Sequence, residues 1–252
     1  MFMKNLYDYI KESILDNMET SINKMDSELK LTMILNWAKE NLNRPDDDTE
    51  YFELDNNYKI INKPKRNLSF PNKDIDIPEY IKFGNITQNI YFGDSVLNNI
   101  TQEQLPTCES TIYINGKIKT IPSFIYTCNM FYINMNSNDL KNIEPITLKM
   151  KSKEEYRKPT ISLYNTKIQL SDLLNIKVEG EVYSLYIKKT PAAEQIKKEI
   201  KKLDKKGEKT GECLYQKYLD DLFKNFQGLR FVYLSDRTTL EHNPKTLNWY
   251  MF

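Results

Sequence analysis

The residue types that usually carry protein chemistry are sparse in this chain. There is one histidine, His242, next to Glu241. Nucleophilic triads and most zinc sites depend on histidine, and a single one reads as a surface or capping residue. The three cysteines, Cys108, Cys128 and Cys213, are odd in number and have no C-x-x-C spacing, which fits a reduced compartment and unpaired or buried thiols. The Asp46-Asp47-Asp48 run lacks the alternating ligands and central glycine of a calcium loop, so it reads as a solvated loop. Gly207-Glu-Lys-Thr-Gly211 lacks the Gly-Lys-Ser/Thr ending of a phosphate-binding loop. The Asp220-Asp221 pair falls on an amphipathic helical pattern and reads as its exposed face. These residues predict a protein that is not an enzyme and that uses neither cofactor nor metal.

Tyrosine, by contrast, is abundant, with 17 in the chain. Several sit in short apolar-x-apolar runs, where strand alternation turns the central residue to the opposite face. Those central positions are Ser69, Tyr91, Tyr113, Tyr132, Ser162, Tyr186 and Val232. Flanking positions on the same face include Asn89, Thr111, Asn115, Met130, Asn134, Thr160, Tyr164, Ser184 and Lys188. The candidate binding residues are therefore Tyr91, Tyr113, Asn115, Tyr132, Asn134, Tyr164 and Tyr186. Tyrosine gives large amphipathic contact area at low entropy cost. It is also a good strand former whose rings stack on one another, and both readings stand at this point.

The elements that must position these residues recur along the chain. Leu68-Ser-Phe70, Ile90-Tyr-Phe92 and Ile112-Tyr-Ile114 start 22 residues apart. Phe131-Tyr-Ile133, Ile161-Ser-Leu163, Leu185-Tyr-Ile187 and Phe231-Val-Tyr233 follow at less regular intervals. The segments 68–81 and 112–125 also share an ending, Ile-Pro-x-x-Ile. A period of 20–29 residues with apolar-x-apolar strands is a leucine-rich-repeat pattern. One such unit buries too few apolar residues to be stable alone, so neighbours must stack. The fold class expected is α/β: a short, irregular leucine-rich-repeat-like solenoid with parallel strands, N-terminal helices and a helical insertion before the last strand.

The expected domains are a helical segment over 1–45, the solenoid over 46–190, and a helical insertion with a C-terminal strand over 191–252. In the first, Leu6, Ile10, Ile14 and Met18 recur every four residues. A second helix carries Leu31, Ile34, Leu35, Ala38 and Leu42, with Asp26 or Ser27 as its N-cap and Pro45 as its stop. In the third, the 191–206 stretch places Ile196, Ile200 and Leu203 on one helix side. A polar turn at Gly207 to Gly211 leads to a helix with Leu214, Tyr218, Leu222 and Phe226, and the last strand runs from Leu229 to Leu234.

Charge narrows the function classes. With 36 basic and 35 acidic residues the formal net charge is +1, which gives no electrostatic basis for nucleic acid as a partner. The opening residues carry charges at Lys4, Asp8, Lys11 and Glu12, unlike a signal peptide. No run approaches the length of a membrane span, so no membrane association is expected.

The string Leu6-Tyr-Asp-Tyr9-Ile10-Lys-Glu-Ser13-Ile14-Leu-Asp16 resembles the opening of many proteins encoded by large gut bacteriophages of the crAss-like type, which often continue into degenerate leucine-rich-repeat bodies. The motif covers residues 6–16, and the likeness in texture extends to about 187. The chain departs from that pattern at Asn17 and Met18, where those proteins continue into an acidic run. The resemblance implies a phage-encoded repeat protein acting in the bacterial host cytoplasm or in the virion, and it carries over no functional residues; Leu6, Tyr9, Ile10, Ser13 and Ile14 are the candidate docking motif if the N-terminal helix attaches the protein to a larger assembly. Two functions follow: a non-catalytic module that binds an unidentified host or phage protein through the Tyr/Asn-rich face, and a virion structural or packaged cargo protein docked through its N-terminal helix.

Overall fold

The computed structural model describes residues 2–42, 52–54, 60–62, 65–71, 73, 75–83, 86–92, 104, 111–115, 118–122, 125, 128–137, 139–151, 158–210 and 213–252. For residues 2–12, 19–20, 22–23, 52–54, 60–62, 65–66, 86–88, 115 and 208–210 the description is of the backbone alone. The chain divides into two compact units, 1–64 and 65–252.

The first unit holds α1 (Phe2–Asn41), β1 (Phe52–Leu54) and β2 (Ile60–Asn62), the two strands pairing antiparallel. The helix is one piece of 40 residues, about 60 Å long at ~1.5 Å per residue. The expectation of a second helix capped at Asp26 or Ser27 is corrected. A cap works only where the backbone leaves the helix. Here Asp26 instead accepts a hydrogen bond from Lys30 one turn on, at 2.6 Å, an (i, i+4) pair that supports continuation. Ile34, Ala38 and Leu42 are buried and α1 packs on β1. Ile14, Leu15, Met18, Met25, Leu29 and Met33 are exposed. Pro45 and Asp46 to Asp48 lie outside the described residues.

The second unit is a stack of mostly parallel strands forming a solenoid of about three turns, with a few helices. Its elements are β3 (Lys65–Ser69), β4 (Ile86–Phe92), β5 (Thr111–Asn115), β6 (Asn129–Met130), β7 (Tyr132–Asn136), β8 (Ile146–Met150), β9 (Thr160–Ser162), α2 (Leu170–Leu174), β10 (Ile176–Gly180), β11 (Ser184–Tyr186), α3 (Pro191–Thr210), α4 (Leu214–Phe223), β12 (Phe231–Ser235), β13 (Thr238–Asn243) and β14 (Asn248–Met251). Among the described residues, one sheet of nine strands runs β3-β4-β5-β7-β9-β11-β12-β13-β14. Its pairs are parallel from β3 to β12 and antiparallel from β12 to β14. A second, three-stranded parallel sheet, β6-β8-β10, forms the return side.

The register explains the core. Leu68, Ile90, Ile112, Ile133, Ile161, Leu185 and Val232 occupy one row across the parallel strands, all buried. The residues two further on, Phe70, Phe92, Ile114, Met135, Leu163, Ile187 and Leu234, are buried as well. Seven residues past the first row, four coils bury Ile75, Leu140, Ile168 and Ala192, whereas the position after Ile112 is the exposed Lys119. With the turns and the return side included, a coil buries about six apolar side chains (Leu68, Phe70, Ile75, Ile77, Ile81 and Phe83 in the first), each worth ~1.5–3 kcal/mol on full burial. That does not offset ordering some twenty residues at ~1–2 kcal/mol apiece, so a coil holds its shape only against its neighbours.

The turns repeat too. Ile81 N–H donates to Pro78 at 3.0 Å and Ile125 N–H to Pro122 at 3.2 Å, closing both Ile-Pro-x-x-Ile segments in the same way. The Thr166 and Thr190 hydroxyls each donate to the carbonyl three residues back, at 2.9 and 2.7 Å. Thr190 Oγ1 also accepts from Ala193 N–H at 3.1 Å, capping α3 ahead of Pro191 at its first helical position. On the return side Gly180 has φ +97°, and a Cβ there would run into the Met150 carbonyl oxygen.

The parallel pairing expected for 68–70 with 90–92 and for 90–92 with 112–114 is observed. Five expectations are corrected. Ile133, and not Phe131, aligns with Ile112, so Tyr132 lies opposite Thr111 and Asn134 opposite Tyr113. Met130 is buried in β6 and not on the outer face. Val232 is buried beside Leu185, while Phe231 and Tyr233 stand on the outer face; the phase of that strand is inverted. The helix α3 runs through Gly207, which the sequence reading made a turn. The strand β12 is not the last, because the chain continues into the β13–β14 hairpin.

Candidate functional site

Two rows of side chains face away from the core across the large sheet. In one, Ser69, Tyr91, Tyr113, Asn134, Ser162, Tyr186 and Tyr233 follow one another strand by strand. In the other, two positions earlier on each strand, run Asn67, Asn89, Thr111, Tyr132, Thr160, Ser184 and Phe231. Neither row carries a charged residue. Parallel strands lie about 4.8 Å apart, and planar rings at that spacing stack. Tyr91 and Tyr113 do so with centroids 4.7 Å apart and planes within 4°. Tyr186 and Tyr233 stack at 4.1 Å and 10°. Tyr132 tilts against Tyr113 at 5.6 Å.

The amides form their own ladder. Asn89 Nδ2 donates to Asn67 Oδ1 at 2.6 Å. Between the two tyrosine stacks lies a polar gap at Asn134 and Ser162. There the Asn134 Oδ1 is buried and has no hydrogen-bond partner among the described residues, and Ser162 is buried.

The face keeps its hydroxyls neutral. Burial raises the Tyr113 phenol above its ordinary value, helped by the neighbouring Tyr91. Burial does the same at Tyr132, with Tyr113 beside it, and at Tyr233, with Tyr186 beside it. Crowded phenols on a sheet resist carrying adjacent negative charges.

The structure gathers most of the residues the sequence singled out. Tyr91, Tyr113, Tyr132, Asn134 and Tyr186 share the face. Tyr164 lies past the end of β9, with Lys189 Nζ 5.2 Å from its ring centroid. Asn115 pairs in register with Asn136, and its side chain lies outside the description. The sequence reading missed Tyr233 and Phe231, because Phe231-Val-Tyr233 is apolar or aromatic at all three positions and alternation could not choose the phase. In the N-terminal motif, Ser13 and Ile14 are exposed on α1, and the side chains of Leu6, Tyr9 and Ile10 lie outside the description.

The residues of conventional chemistry are scattered. His242 sits on β13 with its ring 4.9 Å from Trp249. The Trp249 Nε1 donates to Asp220 Oδ1 at 3.0 Å. Cys128 is buried, and Cys108 lies outside the described residues. Among the described residues no three His, Cys, Asp or Glu side chains gather as a metal site, and no helix is long and apolar enough to cross a membrane.

Comparison with known proteins adds no relative: no family model, no curated protein and no solved structure matches the chain.

Proposed function

We propose that the chain is a non-catalytic binding protein that holds another protein against the tyrosine and asparagine face of its large sheet. The observation that carries this reading is the pair of uncharged rows of Tyr, Asn, Ser and Thr, ending in Phe231, across seven parallel strands. Side chains stand off a sheet, so stacked tyrosines cover one another's ring faces and leave edges and hydroxyls outermost. Such a surface suits peptide groups and apolar side chains. It offers few open ring faces for a sugar or a nucleobase to lie on, and no row of cations for phosphate.

The 22-residue spacing, the apolar-x-apolar strands and the Ile-Pro-x-x-Ile turns support a leucine-rich-repeat-like coil. The resemblance of residues 6–16 to crAss-like phage proteins supports a phage-encoded origin, with the partner a host or phage protein met in the host cytoplasm or virion. One observation favours the second reading, a virion component docked through α1: Ile14, Leu15, Met18, Met25 and Leu29 are exposed on that helix.

The test compares two variants in pull-downs from infected cells and from purified particles. The triple variant Tyr91→Ala, Tyr113→Ala, Tyr132→Ala is expected to stay folded by circular dichroism and to lose the partner, since binding energy concentrates in aromatic anchors at roughly 2 kcal/mol or more each. If the folded triple variant retrieves the same proteins as the parent while deletion of residues 1–20 abolishes the association, the sheet face is not the site and helix docking takes its place.

A further inference from the structure

We propose a second, independent site: a cavity between α4 with the turn after it and the β13–β14 hairpin that takes a small planar aromatic carboxylate. The cavity has a volume of about 460 Å³, within the ~300–1,000 Å³ of small-molecule pockets. No residue of the two rows lines it, and the proposal stands or falls apart from the protein-binding reading.

Its walls are aromatic and fixed in place. Trp249 packs against Phe223 at 5.4 Å and against His242 at 4.9 Å, and Phe223 meets Phe226 edge-on at 6.2 Å. Tyr183 lines the space as well. Three hydrogen bonds hold the Trp249 residue. Its Nε1 donates to Asp220, its backbone N–H donates to Gln216 Oε1 at 2.6 Å, and its carbonyl accepts from Gln216 Nε2 at 2.7 Å. A slot held this way needs little reorganisation to accept a flat ring.

The polar groups favour an anion. Lys224 and Arg230 line the cavity against one carboxylate, Asp220, which already accepts from the indole. Arg230 is only partly satisfied: its Nη2 reaches Glu241 Oε1 at 3.1 Å, while its Nε is buried with no hydrogen-bond partner among the described residues. The side chain as a whole is 41% exposed, and a ligand carboxylate would take a charge-assisted bond from the accessible guanidinium N–H groups, while its ring lies among the aromatic walls.

The sole histidine gives an assignment-free probe, because its imidazole Hε1 proton is a single resonance in the proton NMR spectrum. The full chain is titrated with 2-naphthoate and, separately, with its neutral isostere 2-naphthamide. A saturable shift of the His242 signal is expected with naphthoate, and binding of the amide is expected to be ~10-fold weaker or more, the loss of one charge-assisted hydrogen bond. Arg230→Met is expected to remove that preference. Leu247→Glu, at an exposed position on the rim, places an anion beside the entrance and is expected to weaken naphthoate without loss of fold; it carries the test if Arg230→Met does not fold. No saturable shift with naphthoate, equal binding of acid and amide, or unchanged naphthoate binding in a folded variant overturns the proposal.

Discussion

Replacing adjacent residues on one central strand separates the two faces of the sheet energetically. Ile114 is 0% exposed and lies between Phe92 and Met135 in the second core row. Ile114→Ala removes buried methyl and methylene groups from a site with packed neighbours on both sides, where such truncations cost ~2–5 kcal/mol. Ile114→Asp adds an unpaired carboxylate to the same pocket. The combined cost reaches the ~5–15 kcal/mol total stability of a domain, so this variant is expected to be unfolded. Tyr113, one residue earlier, is half-buried and stacks on Tyr91 at 4.7 Å. Its truncation to Ala forfeits two aromatic pairs, with Tyr91 and with Tyr132 at 5.6 Å, worth ~0.5–1.5 kcal/mol each, about 1–3 kcal/mol in all, which leaves the domain folded. Urea denaturation followed by far-UV circular dichroism measures the differences directly. A Tyr113→Ala protein as unfolded as Ile114→Asp, or an Ile114→Asp protein with the parent midpoint, refutes the assignment of faces.

Other perturbations test other parts of the argument. The buried Tyr218 hydroxyl has no partner among the described residues, and burial, with Glu199 nearby, pushes its ionisation up to about 12 from 10.0. The unfolded phenol loses its proton first, so Tyr218's contribution is intact below pH ~10 and declines between pH ~10 and ~12. Tyr218→Phe is expected to match or exceed parent stability at neutral pH and to lose less of it across that window in alkaline urea melts. Asp172 accepts from the Ile143 N–H at 2.9 Å and the Gln169 N–H at 2.6 Å. Asp172→Ala is expected to cost ~2–4 kcal/mol by stranding two amides, and Asp172→Asn, which keeps one acceptor, distinctly less. Gly180→Ala, at φ +97° against the Met150 carbonyl, is expected to cost ~2 kcal/mol or more and to lower the melting temperature. Because neither row carries a charge, and Lys188 at the edge of the face is paired with Asp236 at 3.1 Å, partner affinity is expected to change little between low and high salt; a steep salt dependence measured by calorimetry would move the site elsewhere.

The sequence made the stacked strands legible where two independent signals coincided. At 68, 90 and 112 the spacing was equal and the apolar-x-apolar pattern unambiguous, and the parallel pairing followed. At 131–135 the signals competed, because both Phe131-Tyr-Ile133 and Ile133-Asn-Met135 satisfy alternation and only packing selects the second. The return strand Ile146-Thr-Leu-Lys-Met150 alternates cleanly but falls outside the strand period, so a reading built on that period passed over it. Asp26 and Ser27 looked like caps because they are good caps, yet exposed helix positions tolerate both. The tyrosine face was visible through alternation, apart from its Tyr233 end. The cavity beside His242 was not visible at all. Its walls come from Tyr183, from α4 and the turn after it, and from the β13–β14 hairpin, segments that no repeat or motif connects.

The length of chain between neighbouring strands has almost no bearing on their register. Ile161, Leu185 and Val232 lie side by side, although 24 residues separate the first two and 47 the last two, with α3 and α4 in the longer excursion. Doubling a closed loop costs only about 0.6 kcal/mol of chain entropy, less than one buried methylene at ~0.8 kcal/mol. The sheet thus behaves as a rack whose pegs are fixed while the cargo between them varies. An autonomous domain grafted between α3 and α4, with its own ends close together, would ride on the same pegs, so a reporter or second binding module can be carried there without disturbing the rows of tyrosine.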